Sequence, residues 1–231
     1  MMRAMVVRVE LAEAVIVDDP SFRALLDDTE LARADRKRVP TPFIGAHALV
    51  RTVLGARLGV PPQELRFRRL CPTCGSRQHG KPTVSDHGGV AFSLSYTDSL
   101  AVVAVTDGVE VGVDVEHVSE ADFGGFARVT LAPDEVDAFD DLHGPDLLRA
   151  RAQVWSRKEA ILKATGHGLV VDPTEVVVSP PAEEPRLVAW RASEAAPDVV
   201  ALHDAPLGSV EHRAAVAVLA DGPIEIVPVS G

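Results

Sequence analysis

Two stretches of the chain, 44–58 and 145–164, read as helices, and each is followed by a train of short β-prone runs separated by turn residues. Between Ile44 and Leu58 the apolar Leu49, Val53, Leu54 and Leu58 gather on one helical face, and Gly59 supplies a stop. After this helix come Ala91–Ser95, Leu100–Thr106 and Val109–Val115, joined by Thr97-Asp98-Ser99 and Asp107-Gly108. That pattern predicts an antiparallel meander with its clearest hairpin at Asp107-Gly108. After the second helix, short strands run from Val176 to the end of the chain, with the Pro-rich stretch 179–185 as an inter-strand loop. Helix followed by several strands, twice over, predicts an α+β chain of two similar lobes, each a helix packed on a small, mostly antiparallel sheet.

The remaining segments read less regularly. Val6, Val9, Val15, Ile16 and Val17 favour an opening strand within 5–17. Pro20 to Arg38 turns helical with Ser21 as its cap, until Pro40 and Pro42 interrupt it. The stretch 60–90, rich in Pro, Gly and Cys, predicts little regular structure, and 120–142 is helix-like. A length of 231 residues accommodates one large domain or two small halves.

Charge excludes one class of partner. A formal net charge of −11 lacks the footprint of a nucleic-acid binder. An anionic small molecule would need a local basic cluster, and Arg33, Arg36, Lys37 and Arg38 offer one, unless they are only a solvated helix face. The first residues carry acids and no uninterrupted apolar core, and no apolar run approaches the roughly 20 residues that span a bilayer, so the expectation is a cytoplasmic protein with no membrane partner. Cys71, Cys74 and His79 supply three ligands at most where structural zinc takes four, which favours two reduced thiols in a tight loop.

Four segments carry candidate chemistry. Gly112-Val113-Asp114-Val115-Glu116 places two carboxylates on one face of a strand. Their Cα atoms would lie roughly 7 Å apart, close enough to converge on one hard divalent cation; an exposed acidic face satisfies the same pattern. Trp155, Glu159 and Lys163 fall at i, i+4 and i+8 of a helix that ends in Gly166-His167-Gly168. A surface salt bridge between Glu159 and Lys163 fits that spacing; beside a cation and phosphates, Lys163 could instead neutralise charge while Glu159 takes a proton. His79-Gly80-Lys81-Pro82 offers a close backbone approach and a fixed cation, and Phe92-Ser93-Leu94-Ser95-Tyr96-Thr97 a strand end with several hydroxyls.

In this order the four segments resemble the phosphopantetheinyl transferases of the larger, surfactin-synthetase-activating type. That family shows a Gly-Lys-Pro loop, a Phe-x-x-Ser strand, a Gly-x-Asp-x-Glu strand and a Trp-Ser-x-Lys-Glu-x-x-x-Lys helix ending in Gly-x-Gly, all matched here between residues 80 and 168. The helix with His47-Ala48-Leu49-Val50-Arg51 is similar to the family's N-terminal lobe. The resemblance implies a pseudo-dimeric monomer, with 1–108 giving coenzyme A contacts and 109–231 the metal and the catalytic helix. It implies Mg²⁺ on Asp114, Glu116 and Glu135, Glu159 as general base or a further metal contact, and Lys163 on the pyrophosphate. Arg36, Arg51, Lys81, Pro82, Ser95, Tyr96 and Lys158 are its further coenzyme A contacts. The implied reaction moves phosphopantetheine from coenzyme A to a serine of an apo acyl, polyketide or peptidyl carrier protein, releasing 3′,5′-ADP.

One position departs from the family, which usually has histidine after Phe-x-x-Ser to help bind the 3′-phosphate of coenzyme A. Tyr96 stands there, a hydrogen-bond donor without positive charge, so discrimination against 3′-dephospho-coenzyme A is expected to weaken unless Arg33, Arg36, Lys37 or Arg51 compensates. Carrier proteins are themselves usually acidic, so docking must rest on a local apolar patch with a basic rim. Competing readings are a non-catalytic coenzyme A binding homologue, which would have lost Asp114, Glu116 or Glu159, a metal-dependent phosphohydrolase of unrelated fold, and a purely structural protein.

Overall fold

The computed structural model describes residues 6–69, 75–76 and 80–231; Cys71, Cys74 and His79, weighed above as zinc ligands, lie outside the described residues. In chain order the elements are β1 (Val7–Val15), α1 (Asp28–Ala34), α2 (Thr41–Leu58), β2 (Phe67–Arg69), β3 (Pro82–Val84), β4 (Val90–Tyr96), β5 (Leu100–Asp107), β6 (Val111–His117), α3 (Phe126–Thr130), α4 (Gly144–Thr165), β7 (Val176–Val178), β8 (Leu187–Trp190), β9 (Ala201–Asp204), β10 (His212–Val218) and β11 (Ile224–Pro228). The mixed α and β architecture expected from the sequence is present, built from small sheets.

Two of these sheets organise the molecule. One has four strands in the order β11-β1-β5-β4, the other three in the order β6-β10-β9. Val7, Val9 and Leu11 alternate inward from β1 and, with Val102 and Ala104 of β5, meet Val111, Val113 and Val115 of β6 and Val216 and Val218 of β10 in a single apolar layer. The opposite face of the four-stranded sheet, carrying Ala101, Val103 and Val105, takes Leu49, Val50, Val53 and Leu54 of α2. The opposite face of the three-stranded sheet, carrying Ala215 and Ala217, takes Val154, Ala160 and Ile161 of α4. The stack is therefore helix, sheet, sheet, helix. A central strand in such a stack is apolar on both sides, as β5 is from Leu100 to Val105. Each fully buried valine there contributes about 1.5–3 kcal/mol.

Several local expectations are corrected. Asp107-Gly108 joins β5 to β6, yet the two strands belong to different sheets: β6 pairs antiparallel with β10, Val113 opposite Val216, so the three-strand meander is only a β4–β5 hairpin. The single helix expected from Pro20 to Arg38 is a 3₁₀ turn, Pro20–Leu25, followed by α1. Asp19 and Asp27 cap them, the second with Glu30 as a reciprocal capping box, because an aspartate oxygen satisfies the free N–H groups that Ser21 was expected to serve. Pro40 and Pro42 open α2 rather than interrupting a helix, since a first-turn proline forfeits no hydrogen bond. The stretch 60–90 contains the antiparallel pair β2–β3. The helix expected over 120–142 is reduced to α3 flanked by 3₁₀ turns. Among the described residues no helix is long and apolar enough to cross a membrane.

Gly112 sets the distance between α4 and β6. A Cβ there would sit 1.9 Å from the Ala160 carbonyl oxygen and 2.4 Å from the Ala164 nitrogen, both backbone atoms of α4. Only glycine lets the helix lie this close to the strand.

Candidate active site

That close approach carries α4 across the face of β6 that bears Asp114. With odd-numbered valines committed to the layer between the sheets, Asp114 and Glu116 project to the helix side. Lys163 donates from α4 to Asp114 Oδ1 at 2.5 Å. Ser95 Oγ, at the end of β4, donates to the same oxygen at 2.8 Å and accepts from Lys163 at 2.9 Å. The three side chains close a triangle that joins both sheets and the helix. Ser93, two residues earlier, accepts the Val113 N–H at 3.0 Å and holds β4 beside β6. Lys163 therefore pairs with Asp114, not with Glu159 as a routine i, i+4 bridge would have it.

The carboxylates are short of positive charge. Asp114 Oδ2 and Glu159 Oε1 are buried without a hydrogen-bond partner, a state that costs roughly 1–3 kcal/mol per group. Burial, and then the Asp114 charge, push Glu116 up to about 8 against the pull of Lys163. The same causes in the same order push Glu159 up to about 7. Orphaned hard oxygens with ionisation held back are what a divalent cation would relieve, so the donor set fits one.

The triangle lies at one side of an open cleft of about 1370 Å³. Arg33, Arg36, Lys37, Arg68, Arg69, Lys81 and Lys163 line it, against Asp27 and Glu30 as its acids. A chain of net charge −11 thus lines this one cavity with seven Lys and Arg side chains against two acids, the arrangement that concentrates an anion. Burial and the neighbouring Arg33 hold the Arg69 guanidinium below its ordinary range, a sign of cations crowded without enough counter-charge. Phe43 forms part of the wall, stacked on His47 with ring centroids 4.0 Å apart and overlain by Arg33 and Lys37. Tyr96 and Pro82 also line the cleft, and burial holds the Tyr96 phenol above its ordinary range, so it stays a neutral donor.

Some residues expected at the site lie elsewhere. Glu135, expected as a third metal ligand, spends both oxygens internally: Oε2 accepts from Lys158 at 2.5 Å and from the Ala132 N–H, and Oε1 from the Val178 N–H. Lys158, expected as a coenzyme A contact, is fully buried and gives its other two donors to the Thr130 and Pro173 carbonyls. Arg51, expected to compensate at a phosphate, is fully buried on Glu30, Asp27 and two backbone carbonyls. These three are internal braces: Lys158 has spent all three donors, Arg51 four of its five, and Glu135 already accepts three hydrogen bonds within the protein. Lys81 does line the cleft, but its ammonium is already bound to Glu110 and to two carbonyls. Ser95 is buried in the triangle rather than on the cleft wall, where Ser93 stands instead. Arg68 and Arg69 join the cleft, and their signal in the sequence is Arg66-Phe67-Arg68-Arg69, which places cations on both faces of a short strand leading into the Cys-rich stretch. Among the described residues, no group of three or more His, Cys, Asp or Glu side chains is placed to hold a metal alone. Magnesium commonly takes only one or two carboxylates and completes its shell with waters and substrate phosphates.

The 4′-phosphopantetheinyl transferase superfamily model matches residues 110–218, the span from β6 to β10. The 4′-phosphopantetheinyl transferase HetI of Nostoc sp. is 31% identical over 185 residues, covering 76% of this chain and 75% of its own. An L-aminoadipate-semialdehyde dehydrogenase-phosphopantetheinyl transferase of Eremothecium gossypii is 30% identical, over 73% of this chain and 62% of its own. A putative 4′-phosphopantetheinyl transferase of Synechocystis sp. is also 30% identical, over 65% and 61%. A solved holo-(acyl-carrier-protein) synthase from Bacillus anthracis, in complex with coenzyme A, matches with a TM-score of 0.42 and 22% identity, over 49% of this chain and 98% of that one. With HetI aligned along three quarters of both chains, and the family's model lying on the strand and helix that carry Asp114, Glu116, Glu159 and Lys163, the chain belongs to the 4′-phosphopantetheinyl transferase superfamily and is an enzyme of that activity.

Proposed function

We propose that the enzyme transfers 4′-phosphopantetheine from coenzyme A to a serine hydroxyl of an apo acyl, polyketide or peptidyl carrier protein in a Mg²⁺-dependent reaction, and that the cationic cleft holds the nucleotide. One observation carries this reading: Lys163 binds Asp114, whose charge also bears on Glu116 and Glu159, at the side of a cleft lined by seven Lys and Arg side chains against two acids. Asp114 and Glu116 would hold the metal, which draws charge from the pyrophosphate oxygens when bound. The serine oxygen forms a bond to the pantetheine-side phosphorus as the pyrophosphate P–O bond breaks and 3′,5′-ADP leaves. Glu159, raised to about 7, accepts the serine proton close to working pH. Lys163 neutralises charge as it builds on the phosphate oxygens.

In this reading 1–108 and 109–231 act as the two halves of a pseudo-dimer and a monomer suffices, because one chain supplies both cleft walls. The test is intact mass spectrometry of apo carriers incubated with coenzyme A and Mg²⁺. A gain of the phosphopantetheine mass is expected, with the rate falling about 10²–10⁴-fold in Glu159→Gln, the usual range for a positioned base. No gain on any carrier, with coenzyme A still bound, would make the chain a non-catalytic homologue.

A further inference from the structure

Lys81 stands on the cleft, yet all three of its ammonium donors are engaged by protein. It reaches Glu110 Oε2 at 2.5 Å, the Val111 carbonyl at 2.7 Å and the Ala164 carbonyl at 3.4 Å. An ammonium has three N–H groups and no acceptor, so none is left for a ligand. These acceptors belong to separate pieces of the site. Glu110 and Val111 lead into the strand that carries Asp114, and Ala164 lies in the last turn of α4, one residue beyond Lys163. Its carbonyl is among those a helix leaves without an intrahelical partner, at the negative end of the helix dipole. On the other side, Lys81 is flanked by Gly80, whose carbonyl accepts from Arg69 at 2.8 Å, and by Pro82, which opposes Arg69 in the β2–β3 ladder. The Lys81 side chain thus ties the wall that bears Arg68 and Arg69 to the wall that bears Lys163.

We infer that Lys81 and Glu110 form a strap that sets the width of the cleft, making both positioning residues for coenzyme A rather than contacts to it. This rests on the cleft being the coenzyme A site. Glu110 falls on the same period-two row of the chain as Asp114 and Glu116, but its carboxylate is half exposed and turned to Lys81. Removing its charge would weaken one of the three contacts of Lys81 and loosen the tie between the two walls.

The experiment is a double-mutant cycle on the full-length protein, reading coenzyme A binding by calorimetry, the KM and kcat of carrier loading, and melting temperature. Glu110→Gln is expected to weaken coenzyme A binding about fivefold, the upper range for a half-exposed ion pair, with kcat at saturation unchanged. Lys81→Met is expected to do the same, and the double variant to be no worse than either single one. Lys81→Arg, which keeps the charge, is expected to recover part of the loss. If Glu110→Gln leaves affinity intact or tightens it while Lys81→Met abolishes it, or if the two losses multiply, Lys81 contacts the nucleotide itself and the strap is wrong. Hydrogen exchange without ligand separates the strap from the cleft assignment: amides in 80–84 and 165–168 are expected to open together in Glu110→Gln. Unchanged exchange at either segment overturns the strap, whereas an intact strap in a protein that binds no coenzyme A overturns only the cleft assignment.

Discussion

Replacing Gly112 by alanine tests the whole construction of the site with one methyl group. The added Cβ would lie 1.9 Å from the Ala160 carbonyl oxygen, whereas ordinary contact begins near 3.4 Å, so helix and strand must part by about 1.5 Å, the difference between the two. Both atoms are backbone, so no rotamer absorbs the clash. Parting by 1.5 Å would stretch the Lys163 to Asp114 contact from 2.5 Å to about 4 Å, outside hydrogen-bonding range. Over-packing of this kind costs about 1–3 kcal/mol of stability, and at this chain length about 2–4 °C of melting temperature is lost per kcal/mol. A reactive group displaced by about 1 Å costs about 10²-fold in rate. Carrier loading at saturating coenzyme A and Mg²⁺, run beside a thermal melt, should therefore show a drop in kcat far larger than the unfolded fraction explains. Gly124→Ala, where an added Cβ meets nothing within 4 Å, is the control. Wild-type melting and a kcat within about twofold for Gly112→Ala would refute the described contact of α4 with β6, and with it the reason Lys163 and Asp114 meet.

Other consequences can be measured separately. Glu116 moves from 4.5 up to about 8 on folding, so between those values the folded protein holds a proton that the unfolded chain has released, and stability falls as pH rises through that window. Relative to Glu116→Gln, the wild-type melting temperature should decline from about pH 4.5 to about pH 8 without metal. Added Mg²⁺ should raise it more at pH 8.5 than at pH 5.5, and equal increments would contradict the metal assignment. Glu135→Gln should destabilise by about 3–5 kcal/mol in a denaturant melt, because it strips the buried Lys158 of its counter-charge, and the surviving folded fraction should load carriers normally. A selective loss of Mg²⁺ dependence would restore Glu135 as a ligand. Tyr96 should leave less than about a tenfold preference for coenzyme A over its 3′-dephospho form, and Tyr96→His should widen it. A large preference in the wild type would show that Arg33, Arg36 and Lys37 already read the 3′-phosphate.

The parts of the site that sequence made legible were those with a period. Asp114 and Glu116 share a face because a strand repeats every two residues, and Glu159 and Lys163 share a stripe because a helix repeats near four. Spacing is silent about depth. Lys158 and Glu159 are neighbours in one motif, but the turn of the helix sends one into the core against Glu135 and leaves the other near Asp114. Arg51 sits one turn from His47, and burial decides that only His47 lines the cleft. Partner choice was equally hidden. Asp107-Gly108 is a genuine turn, but β6 finds its mate in β10, His117 opposite His212, for reasons of layer packing that no local window contains.

β11 lies parallel to β1, with Val7 opposite Ile224, residues 217 positions apart by subtraction. The four-stranded sheet that carries Ser95 and Tyr96 is therefore completed by a strand made long after its other three. Until residues 224–228 leave the ribosome, β1 has β5 on one side and a bare row of amide and carbonyl groups on the other, an edge that invites aggregation. Contacts this distant in sequence make folding slow. A nascent chain stalled after α4 would hold every proposed catalytic side chain and still lack β10, the partner of the strand that bears Asp114, so assembly of the site waits on segments made after its catalytic residues.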